Sequence, residues 1–512
     1  MEIKMKKILL LWICLSVHLF ACAVTFDVDG IRYEIISQSD RTVSVAIIPK
    51  SISYPSYSTY SGDFDIPETV QFNDMTFSVI GIGTHAFSEC KSLGNVILPK
   101  TIKFIGFGAF SYSSLESLML PEGLDSIGAA AFRDSKLKEI TLPESLRALE
   151  STVFHRCFSL SKVIILSNKL ASIPEVTFED CSSLSEVIIP ESITSIGAYA
   201  FKNTSSLSSI HIPSQVKEIG SYCFYMSGIE SINIPNSVTT IGNNAFSNCR
   251  KLYSIIIPDA VTELGGQMFQ NCENLKTIKL PNSLNSLNKN MFSGCNSLEA
   301  IEIPDNITSI PEYSFNGCSS LTVVKLPSSL QSIGGGSFMN CTSLRTIQIP
   351  EGVTKIWSEA FNGCVLSEIY FPTTLESIGG WAFGLGEIKE ITLPVSLREI
   401  GSYAFDDSQL ESVICLSPTP CECEENVFKN ETYLYATLRV PQESIDLYKS
   451  TNPWKNFFKI EGHTLSNLES INGVNMSGKR YVSIKGEMSQ RPFNGLNIIL
   501  FKNETTKKAI FK

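Results

Sequence analysis

One sequence pattern recurs about every 23 residues and limits what this chain can fold into. The pattern is L-x-x-[VI]-x-[IL]-P-x-x-[VIL]-x-x-I-G-x-x-A-F, as seen in residues 184–201. A phenylalanine closes each copy, and successive phenylalanines lie 22 to 24 residues apart. This column comprises Phe87, Phe110, Phe132, Phe154, Phe178, Phe201, Phe224, Phe246, Phe269, Phe292, Phe315, Phe338, Phe361, Phe383, Phe405 and Phe428. A fixed period of this length is typical of a solenoid in which each copy forms one coil.

Each copy predicts a strand followed by a return segment. Side chains alternate along a strand, so Val187 and Ile189 share an inward face while Ile188 points outward. Pro190 has no N–H to donate and therefore ends the strand. The return segment adds further apolar residues, and its A-x-A-F part is interpreted as one helical turn. Stacked coils bury a continuous apolar core that a single coil cannot form.

One copy departs from this spacing. The copy around Phe154 contains an additional residue and lacks a proline near Ser167. With the additional residue placed before the strand, Ile164 and Leu166 point inward and Ile165 points outward. We therefore assign Ile165 to the outward face.

Two copies, SLSEVIIPESITSIGAYAFKNTSSL and KLYSIIIPDAVTELGGQMFQNCENL, resemble repeats of the BspA-type leucine-rich repeat surface protein family. The resemblance covers about residues 64–440. It implies a right-handed leucine-rich-repeat solenoid of the α/β class, dominated by β structure, with one short strand and one helical turn per coil. It also implies a surface or secreted protein, because the family includes adhesins.

The segments outside the repeat predict an ordered series of domains. Residues 1–23 are interpreted as a signal peptide, and residues 24–79 as an N-terminal β cap that shields the open edge of the first coil. The solenoid is assigned to residues 80–440 and a C-terminal cap to residues 441–464. Residues 465–512 are interpreted as a linker and a small β tail domain.

The N-terminal segment predicts export. Lysines precede a short apolar run, and Ala21-Cys22-Ala23 offers a small-x-small cleavage site. The apolar run is too short for a permanent membrane span, and no other segment suits one. The sequence Leu19-Phe20-Ala21-Cys22 also resembles a bacterial lipobox, so a lipoprotein anchored at Cys22 is the alternative. Either path leads to a bacterial protein that is secreted or associated with the cell surface or outer membrane.

Composition and motifs argue against several functions. The net charge is −10 and no basic run occurs, so nucleic acids and anionic membranes are poor partners. G-x-S-x-G, H-E-x-x-H and P-loop motifs are absent from the sequence. The histidines outside the signal peptide, His85, His155, His211 and His463, lie in separate contexts. We predict a protein that is not an enzyme and that has no cofactor and no metal ligand.

The cysteines follow the repeat. Nine of them lie three residues after a column phenylalanine: Cys90, Cys157, Cys181, Cys249, Cys272, Cys295, Cys318, Cys341 and Cys364. They lack CxxC spacing and histidine partners, so we interpret them as a buried thiol ladder rather than a metal-binding array. Stacking holds equivalent Cβ atoms parallel and about 4.8 Å apart, whereas a disulfide needs about 3.8 Å. In the loop-rich terminal coil, by contrast, we expect a disulfide between Cys415 and Cys421.

The outward strand positions form the candidate binding surface: Ile165, Ile188, His211, Asn233, Ile256, Lys279, Glu302, Lys325, Gln348 and Tyr370. The surface is aliphatic at first and charged or polar from Lys279 onward. A row of exposed aliphatic side chains suggests a binding strip, although β-branched residues favour strands in any case. Solenoids bind along concave surfaces. We therefore predict an exported monomer that binds host extracellular or bacterial surface proteins through this face; the alternative is a structural component of the cell envelope.

Overall fold

The computed structural model describes residues 24–47, 58–406, 408–424 and 426–463, and the backbone of residues 480–483, 488–489, 497–503 and 506–511. The predicted signal peptide, the alternative lipidation site at Cys22 and the predicted linker at 465–473 lie outside the described residues. The chain divides after Ser237 into two compact units. We call the part up to Ser237 unit 1 and the part from Val238 unit 2. Among the described helices, none is long and apolar enough to cross a membrane.

Unit 1 begins with strands of a mixed β sheet. Its first three strands, Thr25–Val28, Ile31–Ser37 and Thr42–Val45, pair in sequence order. The strands Thr69–Phe72 and Met75–Ile82 form a hairpin, and the latter pairs in parallel with Thr42–Val45. The hairpin turn consists of Asn73 and Asp74, which both have positive φ, as tight hairpin turns require.

The front strands are the strands that the repeat predicts, and each pairs in parallel with a neighbour one coil away. In unit 1 they are Gly62–Asp65, Leu93–Ile97, Glu139–Leu142, Lys162–Ile165 and Glu186–Ile188. In unit 2 they are Ser254–Ile256, Thr277–Lys279, Ala300–Glu302, Val323–Lys325, Glu390–Leu393, Ser412–Cys415, Thr437–Pro441 and Lys459–His463. The first of them lies within residues 24–79, which were assigned to the N-terminal cap.

A second series of parallel strands, the back strands, precedes the repeat glycine, and each is two residues long. In unit 1 they are Phe104–Ile105, Ser126–Ile127, Ala148–Leu149, Ser172–Ile173, Ser195–Ile196 and Glu218–Ile219. In unit 2 they are Thr240–Ile241, Glu263–Leu264, Ser309–Ile310, Ser332–Ile333, Lys355–Ile356, Ser377–Ile378, Glu399–Ile400 and Glu422–Cys423. Front and back strands stacked coil upon coil confirm the predicted solenoid.

The segment around each phenylalanine is a run of hydrogen-bonded turns and not the predicted helical turn. The amides of Val176, Phe178 and Asp180 donate to carbonyl groups of the next coil at 2.8–2.9 Å. Val176 and Asp180 have φ of 60° and 62°, in the left-handed region, and the equivalent residues of other coils do likewise. A helix would direct these N–H groups along its own axis. The left-handed residues instead turn every second N–H toward the neighbouring coil, as in a strand.

The phenylalanine column forms the centre of the core. All sixteen members are buried, which confirms the predicted inward column. Within each unit the rings of successive coils stack nearly parallel, with centroids 5.1–5.8 Å apart, as from Phe87 to Phe110 and from Phe246 to Phe269. Parallel rings at this spacing must be offset, which is a favourable arrangement for aromatic pairs.

The end of unit 2 contains the only α-helices within the described residues, Asn430–Tyr435 and Ile445–Ser450. Two 3-10 turns accompany them, Gln442–Ser444 and Trp454–Asn456. Trp454 is buried against Phe428, the last member of the column, and the buried Tyr448 packs against Trp454. This large aromatic cluster covers the open end of the core, as the predicted C-terminal cap requires. Beyond it, the backbone of Arg480–Ser483, Met488–Ser489, Asn497–Asn503 and Thr506–Phe511 forms a four-stranded antiparallel sheet.

The buried column predicts a large cost for its truncation. We expect Phe292→Ala to lower the free energy of unfolding by about 3–5 kcal/mol, because the surrounding coils cannot close the cavity. Phe458 is 85% exposed in the same unit, so Phe458→Ala is the matched control, with a change of about 0.5 kcal/mol or less. Denaturant titration of both variants measures the difference. A loss below about 1 kcal/mol for Phe292→Ala would show that the ring stack contributes little.

Candidate functional site

The front face of unit 1 consists of the outward side chains of its front strands and their equivalents: Ile97, Met119, Thr141, Ile164, Ile188, His211 and Asn233. Met119 is 87% exposed, and Ile97 and Ile188 are also exposed. The backbone period of two forces this exposure, because the residues on either side, such as Val187 and Ile189, are buried in the core. Apolar side chains are thus exposed to water on a surface whose backbone is hydrogen-bonded between neighbouring coils.

Ile165 is not part of this face, so the prediction for this residue was wrong. Its side chain is only 2% exposed, and it pairs with Leu142 of the preceding coil. In the same strand Val163 pairs with Val187 and is buried, so Ile164 takes the outward position. The strand therefore lies one residue out of the predicted register.

The reason is the position of the additional residue in this copy. It lies after the strand, between Leu166 and Leu170, and not before it. There the buried Ser167 donates a hydrogen bond to the carbonyl of Leu146 and fills the turn that lacks proline. A slip of one residue within a strand would reverse the face of every side chain. A turn can absorb the same residue without disturbing the core.

The front face of unit 2 consists of Ile256, Lys279, Glu302, Lys325, Gln348, Tyr370 and Thr392. Ile256 is 64% exposed, and the predicted residues Lys279, Glu302, Lys325, Gln348 and Tyr370 are exposed as well. Several polar members are held by neighbouring side chains. The ammonium group of Lys325 pairs with the carboxylate of Glu302, which raises the lysine pKa. The hydroxyl of Tyr370 donates to Glu368 Oε2 at 3.0 Å.

His211 is the one titratable residue that we predicted for the front face of unit 1. Its Nε2 lies 2.9 Å from Glu191 Oε1, and the backbone amide and hydroxyl of Ser214 donate to Glu191 Oε2 at 3.0 and 3.1 Å. The hydrogen bond with His211, followed by those from Ser214, lowers the pKa of the Glu191 carboxyl. His211 and Glu191 thus form an exposed ion pair whenever the imidazole is protonated, which adds polarity beside the aliphatic positions.

The nine repeat cysteines are buried thiols, as predicted, and at least seven of them donate to the carbonyl of a column phenylalanine in the preceding coil. The thiol of Cys181 donates to the carbonyl of Phe154 in the preceding coil at 3.0 Å, and Cys295 does the same to Phe269 at 3.1 Å. Burial raises the pKa of Cys295 to about 12. The Cys295 thiol therefore stays protonated at neutral pH and acts as a hydrogen-bond donor to the neighbouring coil. Nucleophilic chemistry needs the thiolate, so these cysteines suit a structural role.

The cysteines of the terminal coil lie close together as thiols. Cys421 Sγ is 3.7 Å from Cys423 Sγ, and Cys415 is buried. Burial raises the pKa of the Cys415 thiol. The Cys415–Cys421 disulfide remains a prediction, and Cys423 is the neighbour that would compete for Cys421.

One group of side chains in the described part of the chain has ligand atoms close enough to share a metal ion: His155, Glu179 and Asp180. All three follow the column phenylalanines Phe154 and Phe178 in the run of turns, and none belongs to a front strand. Sequence motifs did not find this group, because its members come from two coils and meet only when the coils stack.

A leucine-rich-repeat solenoid has one short parallel strand per coil, with leucine, isoleucine and valine pointing inward. The front strands of this chain have both properties. The profile of the BspA type leucine rich repeat region matches the chain in six overlapping copies: residues 60–182, 103–227, 171–296, 240–365, 309–435 and 354–479. Because these matches cover most of the sequence, the chain belongs to the BspA type leucine-rich repeat family.

Several similar proteins with solved structures come from bacteria. A leucine-rich repeat protein from Bacteroides ovatus is 25% identical, and the match covers 86% of this chain and 100% of that one with a TM-score of 0.53. A leucine rich cell surface protein from Faecalibacterium prausnitzii is 28% identical over 65% of this chain and 94% of that one, with a TM-score of 0.43. A leucine-rich repeat protein from Eubacterium ventriosum is 23% identical over 69% of this chain and 98% of that one, with a TM-score of 0.41. A search of curated protein sequences finds no match.

The corrected register of the strand Lys162–Ile165 can be tested by placing a carboxylate at adjacent positions. We expect Ile165→Asp to lower the free energy of unfolding by about 4 kcal/mol or more, because it buries an unpaired charge. Ile164→Asp places the same side chain on the outward face and should cost about 1 kcal/mol or less. Thermal and denaturant unfolding of the two variants would contradict the register if Ile164→Asp were the more damaging change.

Proposed function

We propose that this protein is exported to the cell surface and binds protein ligands there, with the front face of unit 1 as the main contact area. The observation that carries the proposal is the set of exposed aliphatic side chains Ile97, Met119 and Ile188 on that face. Apolar side chains grouped on the surface of a protein favour contact with a partner, because such contact removes them from water.

The scaffold under these side chains supports the same proposal. The front strands are held in register by the hydrogen bonds of neighbouring coils, as between Lys162–Ile165 and Glu186–Ile188. A surface whose backbone is fixed before binding loses little conformational entropy when a partner docks. The buried part of each coil also keeps the outward residues at a constant spacing, so a partner can contact several coils at once.

The predicted signal peptide and the family support export. Family members are commonly surface or exported proteins, which agrees with a role in contact with other proteins outside the cell. We assign the partner to the class of proteins, host extracellular or bacterial, because the exposed residues are apolar and the chain has a net negative charge. Repeat scaffolds of this kind serve for binding, and we propose no catalytic activity.

A structural role in the cell envelope is the second candidate. It is favoured by the separate four-stranded sheet of the tail, which ends in Thr506–Phe511 and could serve as an anchor. Deletion of residues 474–512 would then release the protein from cells. Retention of the shortened protein on the cell would reject this role for the tail.

A binding assay with a matched pair of methionine variants tests the main proposal. Met119→Asp places a charge at the most exposed apolar position of the face and should weaken binding at least tenfold, or about 1.4 kcal/mol. Met226 is also exposed in unit 1 but follows Phe224 in the run of turns, so Met226→Asp should change binding by less than about twofold. Both variants are compared with the unchanged chain against a panel of immobilised extracellular-matrix and bacterial surface proteins.

Intact cells that produce the protein are used to test its location. Protease added to intact cells should cleave the protein if it is displayed at the surface. The proposal fails if the protein is protected on intact cells, if no member of the panel binds it, or if Met119→Asp binds like the unchanged chain.

A further inference from the structure

The side chains of His155, Glu179 and Asp180 bring three potential metal-ligand atoms close together. His155 Nε2 lies 3.7 Å from Glu179 Oε2 and 3.7 Å from Asp180 Oδ2. All three ligand atoms lie within 4.8 Å of one another. These distances are too long for hydrogen bonds. They are close to the roughly 3.3–3.6 Å that separates two ligand atoms of one tetrahedral ion with bonds of about 2.0–2.2 Å.

The other oxygen of each carboxylate is held by the next coil. Lys202 Nζ donates to Glu179 Oε1 at 2.7 Å, and Asn203 Nδ2 donates to Asp180 Oδ1 at 2.6 Å. Each carboxylate is therefore fixed from one side, and its free oxygen lies on the side of His155. Such outer hydrogen bonds are what orients the ligands in metal sites.

The backbone beneath these side chains is equally constrained. The amide of Arg156 donates to the carbonyl of Glu179 at 2.8 Å, and the amide of Asp180 donates to the carbonyl of Lys202 at 2.9 Å. The two ligand-bearing turns are thus hydrogen-bonded to each other and to the following coil. The side chains of His155, Glu179 and Asp180 are only 17%, 14% and 26% exposed, so binding an ion requires little further desolvation.

The surrounding charges leave the three ligands available. Arg133 and Arg156 both pair with Asp134, at 3.4 and 2.9 Å, and neither forms an ion pair with Glu179 or Asp180. Lys202 is the cation nearest to the ligands, and its positive charge disfavours the binding of cations that the ligands hold only weakly.

We propose that His155, Glu179 and Asp180 bind one divalent transition-metal ion, with Zn²⁺ as the best-suited ion and water as the remaining ligand. A neutral imidazole with two carboxylates suits zinc, which accepts nitrogen and oxygen ligands. Calcium and magnesium prefer ligand sets made of oxygen alone. The ion would join the coil of Phe154 to the coil of Phe178 and would stabilise the folded chain by binding it in preference to the unfolded chain. This site is independent of the proposed protein-binding face.

Zinc titration of the full chain against a chromophoric chelator tests this site. We expect His155→Ala and Asp180→Asn each to remove one equivalent of bound zinc. Asp180→Asn keeps the size of the side chain and an acceptor for Asn203. It therefore tests zinc binding even if His155→Ala reduces the stability of the fold. His211→Ala is the matched control: His211 also lies beside a carboxylate, but beside only one, and its loss should leave the zinc stoichiometry unchanged.

The half-exposed thiols of Cys421 and Cys423 could also take up zinc, so the titration is repeated with Co²⁺. A site of imidazole and carboxylates gives weak ligand-field absorption without an intense thiolate charge-transfer band, and that absorption should disappear in Asp180→Asn. The proposal is overturned if the unchanged chain and both variants of the site bind equal amounts of zinc. It is equally overturned if the cobalt spectrum shows thiolate bands that are lost only in Cys421→Ser.

Discussion

Hydrogen bonding from coil to coil is the constraint on which this structure depends. It occurs at three kinds of place in the stack: the front strands, the back strands and the runs of turns around the phenylalanines. A peptide N–H that is buried without an acceptor is costly, so each coil needs a neighbour with its carbonyls at the same height. Equivalent side chains must then stack upon themselves. The column of phenylalanine rings and the ladder of cysteine thiols are consequences of this single spacing.

The sequence predicted those features that repeat in every coil. The phenylalanine column and the alternation of strand residues such as Val187 and Ile188 were correct, because one periodicity applies to all copies. Two predictions were wrong and one group of residues was missed, because each depends on a feature that the sequence period does not reveal. Ile165 was misplaced because a count of residues cannot tell whether an insertion lies before or after a strand. The run of turns resembled a helix in sequence, since its left-handed residues include Val176 and Tyr199, which are unusual in that conformation. The group around His155 consists of residues without any motif, brought together only by stacking.

The repeat constrains the residue type at inward strand positions but not at outward ones. Inward positions must be apolar, whereas the outward positions carry isoleucine, methionine, histidine, lysine or glutamate. Where charges occur on neighbouring coils they often pair, as Lys325 does with Glu302. Apolar outward residues cannot form ion pairs of this kind. This difference is the physical basis for our proposal that the front face of unit 1 binds protein.

Hydrogen exchange measured by mass spectrometry tests the central claim, which is that the run of turns is bonded from coil to coil as a strand is. The peptide covering residues 174–181 should exchange as slowly as the peptide covering the front strand Glu186–Ile188, because the amides of both are bonded within the stack. Fast exchange of the turn peptide beside a protected front strand would contradict the account. The stack would then depend on its strands alone.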